Sequence, residues 1–178
     1  VLLILLGLAG YLLLRASLPK LDGQQILSGL GQNAVIERDV NGTVTIHAQN
    51  DVDSARALGF VHAQERYFEM DLLRRSASGE LSALFGKVAI EKDKSIRVHR
   101  LRSRIQQHYA EMAGSEAAAL QAYADGANAG LNALSSKPWP YLLLNTKPEP
   151  WKPEDSFLVG FAMFFDLQDE SNSRELAM

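Results

Sequence analysis

The chain contains no cysteine. This excludes a disulfide framework, a cysteine-ligated zinc and a thiol nucleophile, and says nothing about the redox compartment. Neither sign of charge dominates: 18 Lys and Arg against 21 Asp and Glu in 178 residues leave a net charge of −3. A broad basic field for nucleic acid is therefore missing, as is an acidic tail. No serine sits in a G-x-S-x-G elbow, and no Ser, His and Asp form a convincing nucleophilic set. What the chain does have is apolar residues, 47% of the total, enough for one substantial core.

The most apolar stretch is the start, VLLILLGLAGYLLL, fourteen residues without a charge ahead of Arg15. A bilayer span takes about 20 apolar residues, so fourteen suits the apolar core of a signal peptide or part of an uncleaved anchor. Residues 1–18 are expected to be that signal or anchor, residues 19–33 a linker, and 34–178 the folded domain. In AVIERDVNGTVTIHAQN, Val44, Ile46 and Ala48 alternate with Thr43, Thr45 and His47, and Asn41-Gly42 signals a tight turn. The spacing predicts a β-hairpin over 35–48 with His47 on its polar side.

The period then changes to helical. Asn50, Asp51 or Asp53 can cap a helix carrying Leu58, Val61, Phe68 and Leu72, with Gly79 and Gly86 at its end and in the turn beyond. Inside this helix His62, Gln64, Glu65 and Arg66 interrupt the apolar pattern, as they would where a helix is buried against another chain. His62 and Glu65 have a metal-compatible spacing, but no second His-carboxylate pair completes a site. Asp71 and Arg75 form an i,i+4 pair in the favourable order, which reads as plain helix support. Arg97, Arg100, Arg102 and Arg104 alternate with Val98, Leu101, Ile105 and Tyr109, which predicts an amphipathic helix with a solvated arginine face. No stacking aromatics are interleaved, and nucleic acid is not an expected partner.

Ser115 is expected to cap a further helix with a stripe of Leu120, Tyr123, Ala127, Leu131 and Leu134. Its Gly126 and Gly130, with Ala122 and Ala129, allow a close helix neighbour. After a proline-rich break, Pro153, Glu154 and Asp155 suit the first turn of a last helix. That helix carries FLVGFAMFF, apolar on every side, and is expected to be buried all round by its own domain or by another chain.

The run VIERDVNGTVTIHAQNDVDSARALGFVHAQERYFEMDLLRRSASGELSALFGK, then YADGANAGLNAL, KPEPWKPEDS and MFFDLQDE in that order, resembles the small α subunit of the penicillin acylase family of N-terminal-nucleophile hydrolases. The resemblance covers residues 35–178. It implies an α+β fold, a mostly helical α subunit with an N-terminal β-hairpin, which completes the αββα hydrolase fold together with a β subunit cut from the same precursor. It implies amide hydrolysis by the β chain's N-terminal serine, so no catalytic residue is expected in this chain. The α chain would supply the acyl pocket, and the matching positions are Met163, Phe164, Phe165, Asp166 and Leu167. Benzylpenicillin-cleaving members carry an Arg and an aromatic where Asp166 and Leu167 stand, which leaves aliphatic acyl chains open, as in acyl-homoserine lactones. The resemblance also implies a structural calcium ion shared with the β chain, for which Glu175 is the best match and Asp169 and Glu170 are alternatives. One carboxylate cannot supply the roughly six to eight oxygens that calcium takes. The expected partners are the β subunit, an N-acyl amide and, through the N-terminal segment, a membrane; the expected location is the periplasm, with anchoring at the inner membrane. The reading from a different class is a membrane-anchored, non-catalytic binding module in which the last helix docks a partner.

Overall fold

The computed structural model describes residues 1–168. It is mostly helical, with one small antiparallel hairpin near the N-terminus. The chain divides into two compact units, residues 1–68 with 112–153, and residues 69–111 with those from 154 onward.

The first unit opens with α1 (Leu2–Ala16), in which Leu2, Leu3, Leu5, Leu8 and Leu12 to Leu14 are exposed. Among the described residues no helix is long and apolar enough to cross a membrane. The end of α1 is not free of the unit, since Ala16 O accepts from Ser136 N at 3.0 Å. The expected hairpin forms as β1 (Val35–Arg38) and β2 (Val44–His47), with Ile36 opposite Ile46. Its turn is a three-residue loop rather than a two-residue Asn-Gly turn: Asn41 keeps a negative φ, and only Gly42, at φ 83°, takes the left-handed conformation. The Asp39 carboxylate organises this loop by accepting from Asn41 N and Thr43 N at 2.9 and 2.8 Å. His47 is exposed beside Glu37 at 3.3 Å, as the alternation predicts.

Helix α2 (Asp51–Ser78) starts where Asn50 caps it. Asn50 Oδ1 accepts from Asp53 N at 2.8 Å, capping the helix, while the Asn50 side-chain amide donates to Asp53 Oδ2 at 2.8 Å. The buried Asp53 also accepts from Gly31 N and Gln32 N at 2.8 and 3.1 Å, which pins the end of the expected linker to the helix start. Those backbone donors, Gly31 first, hold the Asp53 carboxyl below the ordinary range.

The α2 face that goes inward carries Ala57, Phe60, Val61, Ala63 and Tyr67. Leu58, counted in the expected stripe, is exposed. The inward face meets α6 (Ser115–Asn132) at backbone distance. A Cβ placed on Gly126 would lie 1.9 Å from Arg56 O, one on Gly59 2.1 Å from Tyr123 O, and one on Gly130 2.3 Å from Phe60 O. The glycines therefore act as the sequence predicts, by letting two helices touch. Ser115 is not the cap of α6; Gly114, at φ 81°, precedes the helix and no side chain caps it.

At Arg66 the helix bends, with φ −143° and ψ 28°. The polar group at that bend finds partners within this chain: Glu65 pairs with Arg38, and His62 Nδ1 lies 2.9 Å from Tyr123 Oη. Burial pushes the His62 imidazole below its usual pKa, helped by Arg66 and opposed by Glu65, and pushes the Tyr123 phenol up to about 12. The expectation that this group meets another chain is thus not needed for His62 or Glu65. Tyr67 donates to Glu149 O, and Asn128 bonds both Trp151 N and Trp151 O, at 2.7 and 2.8 Å. Helix α7 (Trp139–Leu143) buries Tyr141 edge-on to Phe68.

The second unit holds the rest of α2, α3 (Ser82–Phe85), a 3-10 turn (Gly86–Ala89), α4 (Ile90–Arg97), α5 (Leu101–Glu111) and α8 (Asp155–Leu167). The buried Asp93 accepts from Leu81 N and Ser82 N at 2.9 and 2.7 Å. Burial pushes its carboxyl up, but those bonds and Arg97 outweigh burial, and the net shift is downward. The expected single arginine-rich helix is broken between α4 and α5, where Arg100 takes φ 53° and Val98 is left exposed. Ile105 keeps its core place, with Ala77, Leu158 and Ala162, flanked by Leu73, Leu101 and Phe157.

Candidate functional site

Helix α8 begins at Asp155, two residues beyond Pro153, with Glu154 as its N-cap. It is apolar all round in sequence, but the described residues cover only one side of it. Leu158 and Ala162 are buried, while Met163, Phe164 and Leu167 are 58%, 53% and 76% exposed. Gly160, Met163, Phe164 and Leu167 follow the i, i+3, i+4, i+7 spacing of a single helix face. Of the expected burial all round, by this domain or by another chain, the described residues supply one side.

The five predicted pocket residues separate accordingly. Met163, Phe164 and Leu167 lie together on the open face, and Asp166 is exposed. Phe165 turns toward this unit, its ring 5.3 Å from that of His99 and 6.0 Å from that of Phe164. Glu175, with the alternatives Asp169 and Glu170, lies outside the described residues. Among the described residues no three His, Asp or Glu converge, so these do not by themselves form a calcium site. Two clefts elsewhere, about 530 Å³ beside Gln32 and Gln49 and about 360 Å³ beside Asn128 and Lys137, are not lined by α8.

Beneath the start of α8 lies a cluster of charge that sequence reasoning missed. Asp155 is 1% exposed and accepts from Arg74 at 2.6 Å and from Arg102 at 2.9 Å. Arg74 and Arg75 both bond Asp71, at 2.8 and 2.9 Å, and Asp71 is 0% exposed. Arg102 spans Asp155 and both carboxylate oxygens of Glu80, the latter at 2.7 Å each. Among the described residues, the carboxylates of Asp71, Glu80 and Asp155 are thus interleaved with the guanidiniums of Arg74, Arg75 and Arg102. Asp71 with Arg75 is consequently no surface pair, and Arg102 does not belong to a solvated face. The available signal was the doublet Arg74-Arg75, which puts two cations within one turn of Asp71.

The family model described as penicillin amidase matches residues 33–178. The chain belongs to the penicillin amidase family. It is 41% identical over 148 residues to penicillin acylase 2 proenzyme of Pseudomonas sp. strain SE83, covering 82% of this chain and 19% of that protein. It is 37% identical over 166 residues to acyl-homoserine lactone acylase QuiP of Pseudomonas aeruginosa, covering 90% of this chain and 20% of that protein. Among solved structures it is similar to thermostable penicillin G acylase from Alcaligenes faecalis, with a TM-score of 0.68 and 27% identity over 83% of this chain and 80% of the matched chain. The chain spans about a fifth of the length of the curated relatives it matches. Its helical architecture with one hairpin is that of the family's α subunit, and its family relatives are acylases.

Proposed function

We propose that this chain is the α subunit of an autoproteolytically matured, two-chain acylase that hydrolyses the amide bond of N-acyl compounds, penicillin-like or N-acyl-homoserine lactone-like. In this reading the α chain supplies the acyl-binding surface, and the nucleophile is the N-terminal serine of a β chain. The observation that carries it is the open apolar face of α8, formed by Met163, Phe164 and Leu167 on a helix whose opposite side is fixed in a core. Such a face can desolvate an alkyl or phenyl acyl group, each buried methylene contributing roughly 0.8 kcal/mol, about fourfold in affinity.

The division of labour suits the residues present. An N-terminal serine uses its own α-amino group as base, and the unperturbed pKa of such a group, about 7.7 to 8.0, lies near working pH. The hydroxyl adds to the acyl carbonyl, donors of the β chain hold the oxyanion, the amine leaves, and water releases the acyl group from the serine ester. The face of α8 fixes where the acyl tail lies while this happens. Calcium held by Glu175 and by oxygens of the β chain, and a periplasmic location with α1 as signal or inner-membrane anchor, belong to the same proposal. They rest on the resemblance and on the apolar character of residues 2–14.

The test is to express the full-length precursor and assay it with phenylacetyl, glutaryl and C4 to C12 acyl amides, including acyl-homoserine lactones. The proposal predicts release of the free acid with a preference for apolar acyl groups, weakened by Phe164→Ala. Maturation into two chains with no hydrolysis of any of these amides would count against it.

A further inference from the structure

The charge cluster beneath α8 belongs neither to the proposed acyl surface nor to the apolar core. We infer that the Arg74–Asp155–Arg102 bridge is a positioning device that sets the direction of α8, and with it the acyl preference of the enzyme. The inference rests on the proposed acylase reading and concerns residues that would not touch substrate.

The geometry is that of a lever. Asp155 is the first residue of α8, and Phe164 stands nine residues further along, about 13 Å at a rise of about 1.5 Å per residue. A tilt of about 10° at Asp155 would move Phe164 by about 2 Å, comparable with the length of one to two methylenes. The pivot is gripped from two directions, by Arg74 of α2 at 2.6 Å and by Arg102 of α5 at 2.9 Å. Each arginine is itself held, Arg74 by Asp71 at 2.8 Å and Arg102 by Glu80 at 2.7 Å. Guanidiniums are suited to this, because their planar fork fixes direction as well as distance. Beyond the pivot, Leu158 and Ala162 pack in the core, while the face that carries Met163, Phe164 and Leu167 is exposed among the described residues.

A buried ion pair is weak evidence for stability in itself, since desolvation opposes the Coulombic gain. Its directional character makes it a means of defining geometry. A cluster of purely structural importance would, when weakened, lower stability and the amount of active enzyme without changing which acyl group is preferred.

The experiment uses the mature enzyme from the full-length precursor, unaltered and as Asp155→Asn and Arg102→Lys. Asp155→Asn keeps the shape and removes the charge; Arg102→Lys keeps the charge and removes the fork, and it sits at a half-buried rim where folding is less threatened. For each, kcat and KM are measured along a series of acyl amides from C4 to C12, with active sites titrated. The expected result is a shift of the preferred chain length by one or two methylenes, seen as a change of about fivefold or more in the kcat/KM ratio of long to short acyl groups. That change is expected chiefly in KM, and smaller in Arg102→Lys than in Asp155→Asn. A parallel loss of activity on all chain lengths, or an unchanged ratio with a lower melting temperature, would overturn the inference and leave the acylase reading standing. No hydrolysis by the unaltered enzyme would overturn both.

Discussion

Replacing Gly126 by alanine isolates the packing of α2 on α6. Helix propensity alone favours the change by up to about 1 kcal/mol, since glycine is the poorer helix former. The structure predicts the opposite sign. The new Cβ would lie 1.9 Å from the carbonyl oxygen of Arg56 and 2.8 Å from its carbonyl carbon, both backbone atoms of a helix that cannot rotate away. Restoring an ordinary separation of about 3.4 Å requires the two helices to part locally by about 1.5 Å, enough to loosen Ala57, Phe60 and Ala127 from their buried places. Overpacking of this kind costs about 1–3 kcal/mol or more, and here the obstacle is backbone on both sides. Ala118→Gly, on an exposed site of the same helix, is the control and should cost about 1 kcal/mol from propensity alone. Thermal melts and soluble yield of the full-length protein read both. Gly126→Ala is expected to be clearly worse than Ala118→Gly, with a lower melting temperature and little mature enzyme. A melting temperature at or above that of the parent would refute the close-contact reasoning.

Asp71→Ala removes the carboxylate that Arg74 and Arg75 share in a buried setting, and even with Arg74 still held by Asp155 it should cost about 1–3 kcal/mol, measured by chemical denaturation of the full-length protein. A cost of a few tenths would mean the pair behaves as a surface pair after all. Acidification should destabilise the protein in two steps. The imidazole of His62 is held below its usual pKa, so below about pH 6.5 the unfolded chain takes up a proton that the folded chain resists, and stability falls as pH drops. His62→Gln should flatten the stability profile between pH 7 and 5. The lowered carboxyls of Asp53 and Asp93 contribute stability that is present above about pH 4 and is lost as pH falls through their folded values, so Asp53→Asn should flatten the profile only at the acid end. The proposed calcium site predicts that the dialysed two-chain protein retains calcium and that Glu175→Gln reduces it, measured by elemental analysis; calcium absent from the parent would refute the site, and calcium unchanged in the variant would reassign the ligand.

Much of the fold was legible because its signals are periodic. The alternation around Val44 and Ile46 gave the hairpin, and the glycines at 126 and 130 announced a close helix contact that the structure places against Phe60 and Arg56. Local chemistry was less readable. Asp39, not Asn41-Gly42 alone, shapes the hairpin turn, because a side chain two residues earlier can replace a backbone partner. Ser115 looked like a cap, but Gly114 already provides the left-handed turn into the helix. The charge cluster was the least readable feature, since an i,i+4 ion pair has the same sequence whether it faces water or a second helix. Only the fold brings Asp155 to Arg74 from 81 positions away. The apolar face of α8 was visible in the sequence as an unusual run, yet a run that is apolar on every side carries no mark of which side packs on Ile105 and Ala77.

The central claim is that this chain shapes the acyl site while another chain carries the reactive hydroxyl. Its most direct test is to treat the mature protein with a serine-directed sulfonyl fluoride and locate the label by mass spectrometry. The account predicts two polypeptides, with label on the N-terminal serine of the second, loss of activity in proportion, and protection by an apolar N-acyl amide. Label on a serine of this chain, with loss of activity in proportion, would contradict it.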